Sequence, residues 1–329
     1  MSHVPTSEIA AYGLRLRPAC SPPVSAPAAV SDADCLPHTL RLSHTYRDRL
    51  APLDEALPVV AWQRAAATPG GWQIDILDRA SAGYRRGCSL ILDAEARRLT
   101  ISDTESCMAA SRWIFLTRIA IRSILGRLGA LLLHGNLSRC NAGAFAILGP
   151  SGAGKSSLAI ALMQAGAAPL ADDIVRPEPV ANVWQVWPGH HEILAEAPTL
   201  EGLRIDPAAW PPLWLRADPE EQKYRLTDVA APGESRMPLP LAGIFLLEPR
   251  GRTAEATRAE RIPPAAALAA LMLHCEWLPG SPDRGDLLAR LGSLAREVPI
   301  WRLARPDRID ALPATADLVL STLDRAYRP

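Results

Sequence analysis

The spacing of apolar side chains divides this sequence into two parts with different rhythms. In the first, apolar and polar residues alternate in short runs. Gly71–Leu77 (GWQIDIL) and Cys88–Ser102 (CSLILDAEARRLTIS) carry the two-residue period of half-exposed strands, the second folding back on itself as a hairpin. Proline-rich stretches, SPPVSAPAAV and LAPLDEALPVV, predict irregular connections around them. Residues 1–110 therefore read as a small β-rich or α+β domain without a catalytic pattern, available to bind a substrate. From 111 to 329 the period changes. Arg112–Leu128 repeats apolar residues at helical spacing. Ala130–Gly135 (ALLLHG) and Ala144–Gly149 (AFAILG) are apolar runs joined by a turn-rich LSRCNAG, which predicts paired strands. Further strands are expected at Pro169–Ile174, Val183–Trp187, Leu241–Glu248 and Ile300–Ala304. Helices are expected at Ser156–Ala165, Pro264–Glu276, Asp286–Glu297 and Ile309–Tyr327. Strands alternating with helices make this part an α/β domain. Ala197–Pro240, rich in proline and charge, reads as a loop excursion facing a substrate or another subunit.

Composition narrows the classes. The 329 residues are 48% apolar and 21% charged, enough to bury a full core. Thirty-five basic residues balance thirty-five acidic ones, and no dense Lys/Arg run appears, which argues against a nucleic-acid partner. Six cysteines lie far apart without metal-ligand spacing and read as reduced thiols. The apolar stretch Trp113–His134 is broken by Arg118, Arg122 and Arg127, so it does not predict a membrane span. The first sixteen residues lack a basic start followed by an apolar run, and the expected compartment is the cytoplasm.

One segment sets the chemistry. Gly149-Pro150-Ser151-Gly152-Ala153-Gly154-Lys155-Ser156 satisfies G-x-x-x-x-G-K-[ST] after an apolar strand and before a helix. Glycines at 149, 152 and 154 let the backbone take positive φ and turn its N–H groups toward phosphate oxygens. The following helix directs its positive end at the same anion. Lys155 adds a full charge for the β- and γ-phosphates, the Ser156 hydroxyl can ligate Mg²⁺, and Ser157 completes the binding segment. The expected cofactors are ATP and Mg²⁺. No N-K-x-D segment for guanine and no L-S-G-G-Q-like transporter signature accompanies the loop.

Asp172 and Asp173 follow after one short helix, close enough to reach the mouth of the loop. One carboxylate can hold Mg²⁺ while the other accepts the proton of an attacking hydroxyl. His134 ends the strand that pairs with the one feeding the loop; it is either a core histidine or a neighbour of the γ-phosphate. Lys223 and Arg225 are candidates for phosphate or substrate contact, against the plainer reading of a solvated loop. His190 and His191 follow Pro-Gly in a loop, and Trp184, Trp187, Trp210 and Trp214 form either a core or a peptide groove.

His134-Gly135, GPSGAGKSS and PLADD, in this order and spacing, resemble the bacterial HPr serine kinase/phosphorylase family over Leu131–Val175. The resemblance implies a fold closer to phosphoenolpyruvate carboxykinase than to adenylate kinase. It implies that Lys155 and Ser156 bind ATP-Mg²⁺, that one of Asp172 and Asp173 is the base, and that His134 lines the reacting phosphate. Asp173 is favoured as base and Asp172 as magnesium partner, though the roles can be exchanged. The family's E-x-R-G-x-G segment is replaced here by VWPGHHEILAEAPTLEGLRID (Val186–Asp206). AAYGLRLRPACS, DPEEQKYRL (Asp218–Leu226) and PLPLAGIFLLE are similar to a divergent branch. Its members are kinases of ribosomally made precursor peptides, lasso-type precursors among them. The implied activity is transfer of the γ-phosphate to a serine of such a peptide. An HPr-type protein kinase, a small-molecule kinase and a non-catalytic ATP-binding regulator are the alternatives. The family also implies a homo-oligomer.

Overall fold

The computed structural model describes residues 9–12, 14–18, 38–46, 63–68, 71–80, 83–93, 98–103, 110–214, 222–227, 237–249, 256–277 and 284–327. The chain divides into two units, the first made of residues 1–129 with 215–217 and 277–282, the second of the remainder. The expected boundary at 110/111 lies one helix before this division.

Alternating sequence in the first unit gives strands. They are β1 (Ile9–Ala11), β2 (Leu14–Pro18), β3 (His38–Tyr46), β4 (Gln63–Thr68), β5 (Gly71–Ala80), β6 (Gly83–Asp93) and β7 (Arg98–Asp103), followed by helix α1 (Ala110–Arg127). The sheet order is β1-β2-β3-β7-β6-β5-β4, with β3 parallel to both neighbours and the other pairs antiparallel. Ile121, Ile124 and Leu125 recur at three- and four-residue spacing on α1 and are fully buried. Arg127, in its last turn, places its guanidinium 5.5 Å from the centre of the Trp72 ring. Ala120 and Ile124 of α1 line a small apolar cavity together with Leu90, Leu92 and Leu99 of the sheet.

The second unit starts with a hairpin, β8 (Leu133–Cys140) and β9 (Gly143–Leu148), and continues through α2 (Lys155–Gln164), β10 (Ala168–Ala171), β11 (Ile174–Val180) and β12 (Val183–Trp187). Next come β13 (Glu192–Ala195), α3 (Ala197–Gly202), β14 (Pro212–Trp214), β15 (Gln222–Thr227), β16 (Leu239–Leu247), β17 (Arg258–Arg261), α4 (Pro264–His274), α5 (Arg284–Glu297), β18 (Ile300–Ala304) and α6 (Leu312–Ala326). Strands β9, β16 and β18 run parallel, the last two joined through the α4–α5 helices, as a crossover connection requires. Ala144 through Leu148 are all buried, because both faces of this strand are covered. On one side Phe145, Phe245 and Trp301 meet the apolar residues of α2 and α6. The Phe245 and Trp301 rings stack 4.9 Å apart, and Phe145 meets Phe245 edge-on.

Two expectations are corrected here. LSRCNAG is strand rather than turn: β8 runs on to Cys140, and only Asn141 and Ala142 turn before Gly143. Leu137 and Ser138 are buried, and the backbone pairs with β9 throughout, so the polar residues lie within a continuous ladder. The excursion Ala197–Pro240 carries α3, a 3₁₀ turn at Pro207–Ala209, β14 and β15, the last two joining β13 in a three-stranded sheet. Among the described residues no helix is long and apolar enough to cross a membrane.

Candidate functional site

Register delivers the chemistry-bearing residues to one level of the second unit. Strands β10 and β11 pair with two successive parts of β8, Ala171 opposite Leu137 and Ile174 opposite His134. Between them Asp172 and Asp173 form a bend that interrupts the ladder without shifting its register; the irregularity of β10 falls earlier, between Pro169 and Ala171. Gly135 sits across from that bend, and its N–H donates to the Asp173 carbonyl at 3.3 Å. On the other edge of β8, Gly135 pairs with Leu148, the residue just before the glycine-rich loop. The acidic pair, the middle of β8 and the start of the loop therefore form one row across three strands. The carboxyl ends of the parallel strands β9, β16 and β18 gather at the same level, where open α/β sheets place ligands.

The loop has the geometry of an anion cradle. Gly152 and Gly154 take φ of +76° and +88°, turning successive N–H groups as a nest does. Gly149 does not share that conformation. Its requirement is steric, since a Cβ there would stand 3.0 Å from the Leu247 carbonyl oxygen. The positive φ expected at Gly149 is thus replaced by close approach to β16. Pro150, Ser151 and Gly152 are exposed, Ala153 is buried, and Ser156 is half-buried in the first turn of α2. Ser157 is buried. Lys155, 8% exposed, folds back to donate from Nζ to the carbonyls of Gly149 at 2.8 Å and Pro150 at 3.1 Å. Burial pushes its pKa below the ordinary lysine value, Asp173 and then Asp172 pull it up, and Lys223 adds a push downward. The two acids and Lys223 are therefore close enough to Lys155 to act on its charge. From the end of β18, Arg305 Nη2 donates to the Ala153 carbonyl at 3.0 Å and pins the loop from the other side.

The two aspartates occupy different environments. Asp172 is 4% exposed, and three N–H groups hold its carboxylate. Asn136 Nδ2 at 2.8 Å and the Asp173 backbone N–H at 3.1 Å donate to Oδ1, and the Leu194 N–H of β13 donates to Oδ2 at 2.8 Å. Asp173 is exposed and takes φ of +69°, a left-handed conformation that aspartate tolerates better than most residues. Such outliers concentrate where a side chain must be presented rather than packed.

His134 lies in the second position of β8 rather than at a strand end, half-exposed, with Nδ1 3.9 Å from Glu276 Oε1. Glu276 is brought there by a short antiparallel contact. Cys275 bridges to Leu133, and the Glu276 N–H donates to the Leu132 carbonyl at 2.9 Å. The same segment carries His274, which burial holds below the ordinary histidine value, with the charges of Lys155 and His134 pushing the same way. Arg225 Nε bonds the carboxylate of Glu192, which is almost wholly buried on β13, so this guanidinium is held within the three-stranded sheet. Lys223, on the same strand, is half-buried. The His191 N–H and the Gly189 N–H both donate to the Leu170 carbonyl, fixing the His190-His191 turn beside β10. Trp184 and Trp187 are buried, their indole N–H groups bonded to Glu297 and Glu178, and Trp210 packs against the core; the Trp214 side chain lies outside the described residues.

The residues that sequence reasoning did not reach are Asn136, His274, Glu276, Glu192 and Arg305. Asn136 falls between the expected strand Ala130–Gly135 and the turn-rich LSRCNAG, in a position assigned to neither. The others arrive from distant elements, and only the pairing of the chain brings them in.

The donors around the loop are hard oxygens: the Ser156 hydroxyl and the two aspartates. Among the described residues no three or more His, Cys, Asp or Glu gather into a metal cage. Mg²⁺ suits such a place, because it binds through one or two carboxylates together with phosphate oxygens. No family model matches the chain, and no curated protein matches it. Among solved structures, the chain is similar to the Hpr(Ser) kinase/phosphatase from Coxiella burnetii, with 13% identity and a TM-score of 0.33 over 59% of this chain and 91% of that one.

Proposed function

We propose that the chain is an ATP-dependent kinase that transfers the γ-phosphate to a serine hydroxyl of a peptide or small protein, a ribosomally made precursor peptide of the lasso type being the favoured acceptor. The observation that supports this most is the row Asp173–Gly135–Leu148, which sets an exposed acid in line, across β8, with the residue that leads into the anion cradle. The cradle amides and Lys155 bind the β- and γ-phosphates, and binding gives the Lys155 ammonium the counter-charge it otherwise seeks in backbone carbonyls. The acceptor oxygen attacks the γ-phosphorus in line, forming a new O–P bond as the bond to the β-phosphate oxygen breaks. Asp173 takes the hydroxyl proton, and ADP leaves. Asp172, held by three N–H donors, fixes the bend that presents Asp173 and is the magnesium partner of this reading. Mg²⁺, when bound through Ser156 and Asp172, supplies charge neutralisation on the phosphate oxygens. His134, backed by Glu276, faces the phosphate as a second polar contact.

An acceptor screen tests the reading. The protein is incubated with γ-labelled ATP and Mg²⁺, with serine-containing peptides, small proteins and hydroxylated metabolites as acceptors, and ADP release is followed in parallel. The expected result is label on a peptide serine, at a rate above that on any metabolite. Faster turnover of a metabolite would replace the acceptor, and nucleotide binding without label on any acceptor would replace the kinase reading with that of an ATP-binding regulator.

A further inference from the structure

Asn136 is a costly residue for the position it holds. It lies 2% exposed within β8, and its carbonyl oxygen Oδ1 is buried without a hydrogen-bond partner among the described residues. A buried acceptor left unpaired forfeits its hydration and gains nothing in exchange. A valine of similar size would carry no such penalty and fits a strand better. The benefit to the fold is small, so the reason for an amide here lies in what its other end touches.

That end is the acidic pair. Asn136 Nδ2 donates to Asp172 Oδ1 at 2.8 Å, across the same gap in which Gly135 N–H meets the Asp173 carbonyl. Backbone N–H groups of Asp173 and Leu194 donate to the same carboxylate. Those two come with the chain whatever its side chains are, whereas the bond from β8 depends on the amide of Asn136. With Oδ1 held from β8 and Oδ2 held from β13, the Asp172 carboxylate is fixed in one orientation. The Asp173 N–H bonded to Oδ1 locks the left-handed turn that presents the next carboxylate.

We propose that Asn136 is a positioning residue for the transfer reaction. It fixes the Asp172 carboxylate and, through it, the turn that aims Asp173 at the phosphate cradle. The proposal rests on the kinase reading for its catalytic consequence, and on geometry alone for the coupling between Asn136 and Asp172.

Two substitutions and a spectroscopic readout test it. Asn136→Val removes both the donor and the orphaned acceptor. Its expected phenotype is an unfolding midpoint close to that of the parent, because relief of the orphaned acceptor offsets the hydrogen bond lost from the buried Asp172 carboxylate, with unchanged ATP affinity and acceptor KM and a kcat lower by about 10- to 100-fold, as small misplacements of reacting groups produce. A role confined to the fold would lower the unfolding midpoint and leave kcat of the folded fraction intact, which would overturn the proposal. Asn136→Asp keeps the size of the side chain and loses the amide donor. It is expected to lower kcat at least as far as Asn136→Val does, and a kcat within twofold of the parent in either variant would count against the role. The carboxyl ¹³C shift of Asp172, compared at one pH in the parent and in Asn136→Val, reads the coupling without turnover. A changed Asp172 resonance in a protein that labels no acceptor would remove the kinase reading and keep the coupling. An unchanged resonance together with an unchanged kcat would remove Asn136 from the site.

Discussion

A Cβ on Gly135 would stand 2.4 Å from Leu148 Cδ2 and 2.5 Å from the Ile147 carbonyl oxygen. The first atom could turn aside, being the end of a flexible side chain, but the second belongs to the backbone of β9 and cannot. Glycine is needed here for space, since no positive φ is recorded at this residue. The space matters because β8 must lie close against β9 to carry Asp173 to the loop. Gly135→Ala is therefore expected to destabilise the protein by about 1–3 kcal/mol, the usual cost of forcing extra volume into a packed interior. Equilibrium denaturation of the two proteins checks this, and a loss below about 0.5 kcal/mol would mean that the hairpin yields more easily than its geometry indicates. Lys155 shows the opposite case. Its ammonium is satisfied by the loop's own carbonyls, and on the proposed reading those bonds are what a triphosphate replaces.

At the level of elements, the His274-Cys275-Glu276 segment after α4 works as a short added edge to β8, with Cys275 bridged to Leu133. It places an imidazole near Lys155 and His134, and the direction of its shift has a consequence for stability. Burial, Lys155 and His134 all hold His274 below its ordinary value of 6.5. As pH falls through that value the unfolded chain takes the proton first, so stability present above it is lost on acidification. His274→Gln removes the titration. Thermal unfolding between about pH 7.5 and pH 5, the range in which an ordinary histidine changes charge, is expected to show a shallower fall of midpoint for the variant than for the parent. Parallel falls would mean that His274 takes no part. The run His274-Cys275-Glu276 carried no signal in the sequence, where it reads as the end of a helix, because its role comes from pairing with Leu133, far back along the chain. The loop Gly149–Ser156 was legible because its function needs consecutive residues, so motif and geometry coincide. The register of Asp172 and Asp173 was legible in part: one helix and one strand bring them back to β8, but that the bend would give one acid three N–H donors and expose the other depends on Asn136 and Leu194. β8 itself was read too short, since its apolar signal ends at Leu133 while its hydrogen-bonded ladder runs on to Cys140.

Across the second unit as a whole, the parallel strands β9, β16 and β18 supply a rigid floor, and Phe145, Phe245 and Trp301 anchor it to α2 and α6. The loop is fixed to that floor at Gly149 by Leu247, and at Ala153 by Arg305. The acidic bend is fixed to it through β8. Two groups held rigidly on one sheet can meet a transferring phosphate without the chain reorganising, which is the condition for efficient transfer. The central claim is that Asp173 acts on the acceptor while the cradle holds the nucleotide, and single-turnover transfer by Asp173→Asn, measured beside its ATP affinity, tests it most directly. The account predicts ATP affinity within about twofold of the parent and transfer slower by about 10²- to 10⁴-fold, the contribution of a positioned general base. Transfer within a few-fold of the parent at equal nucleotide occupancy would contradict it.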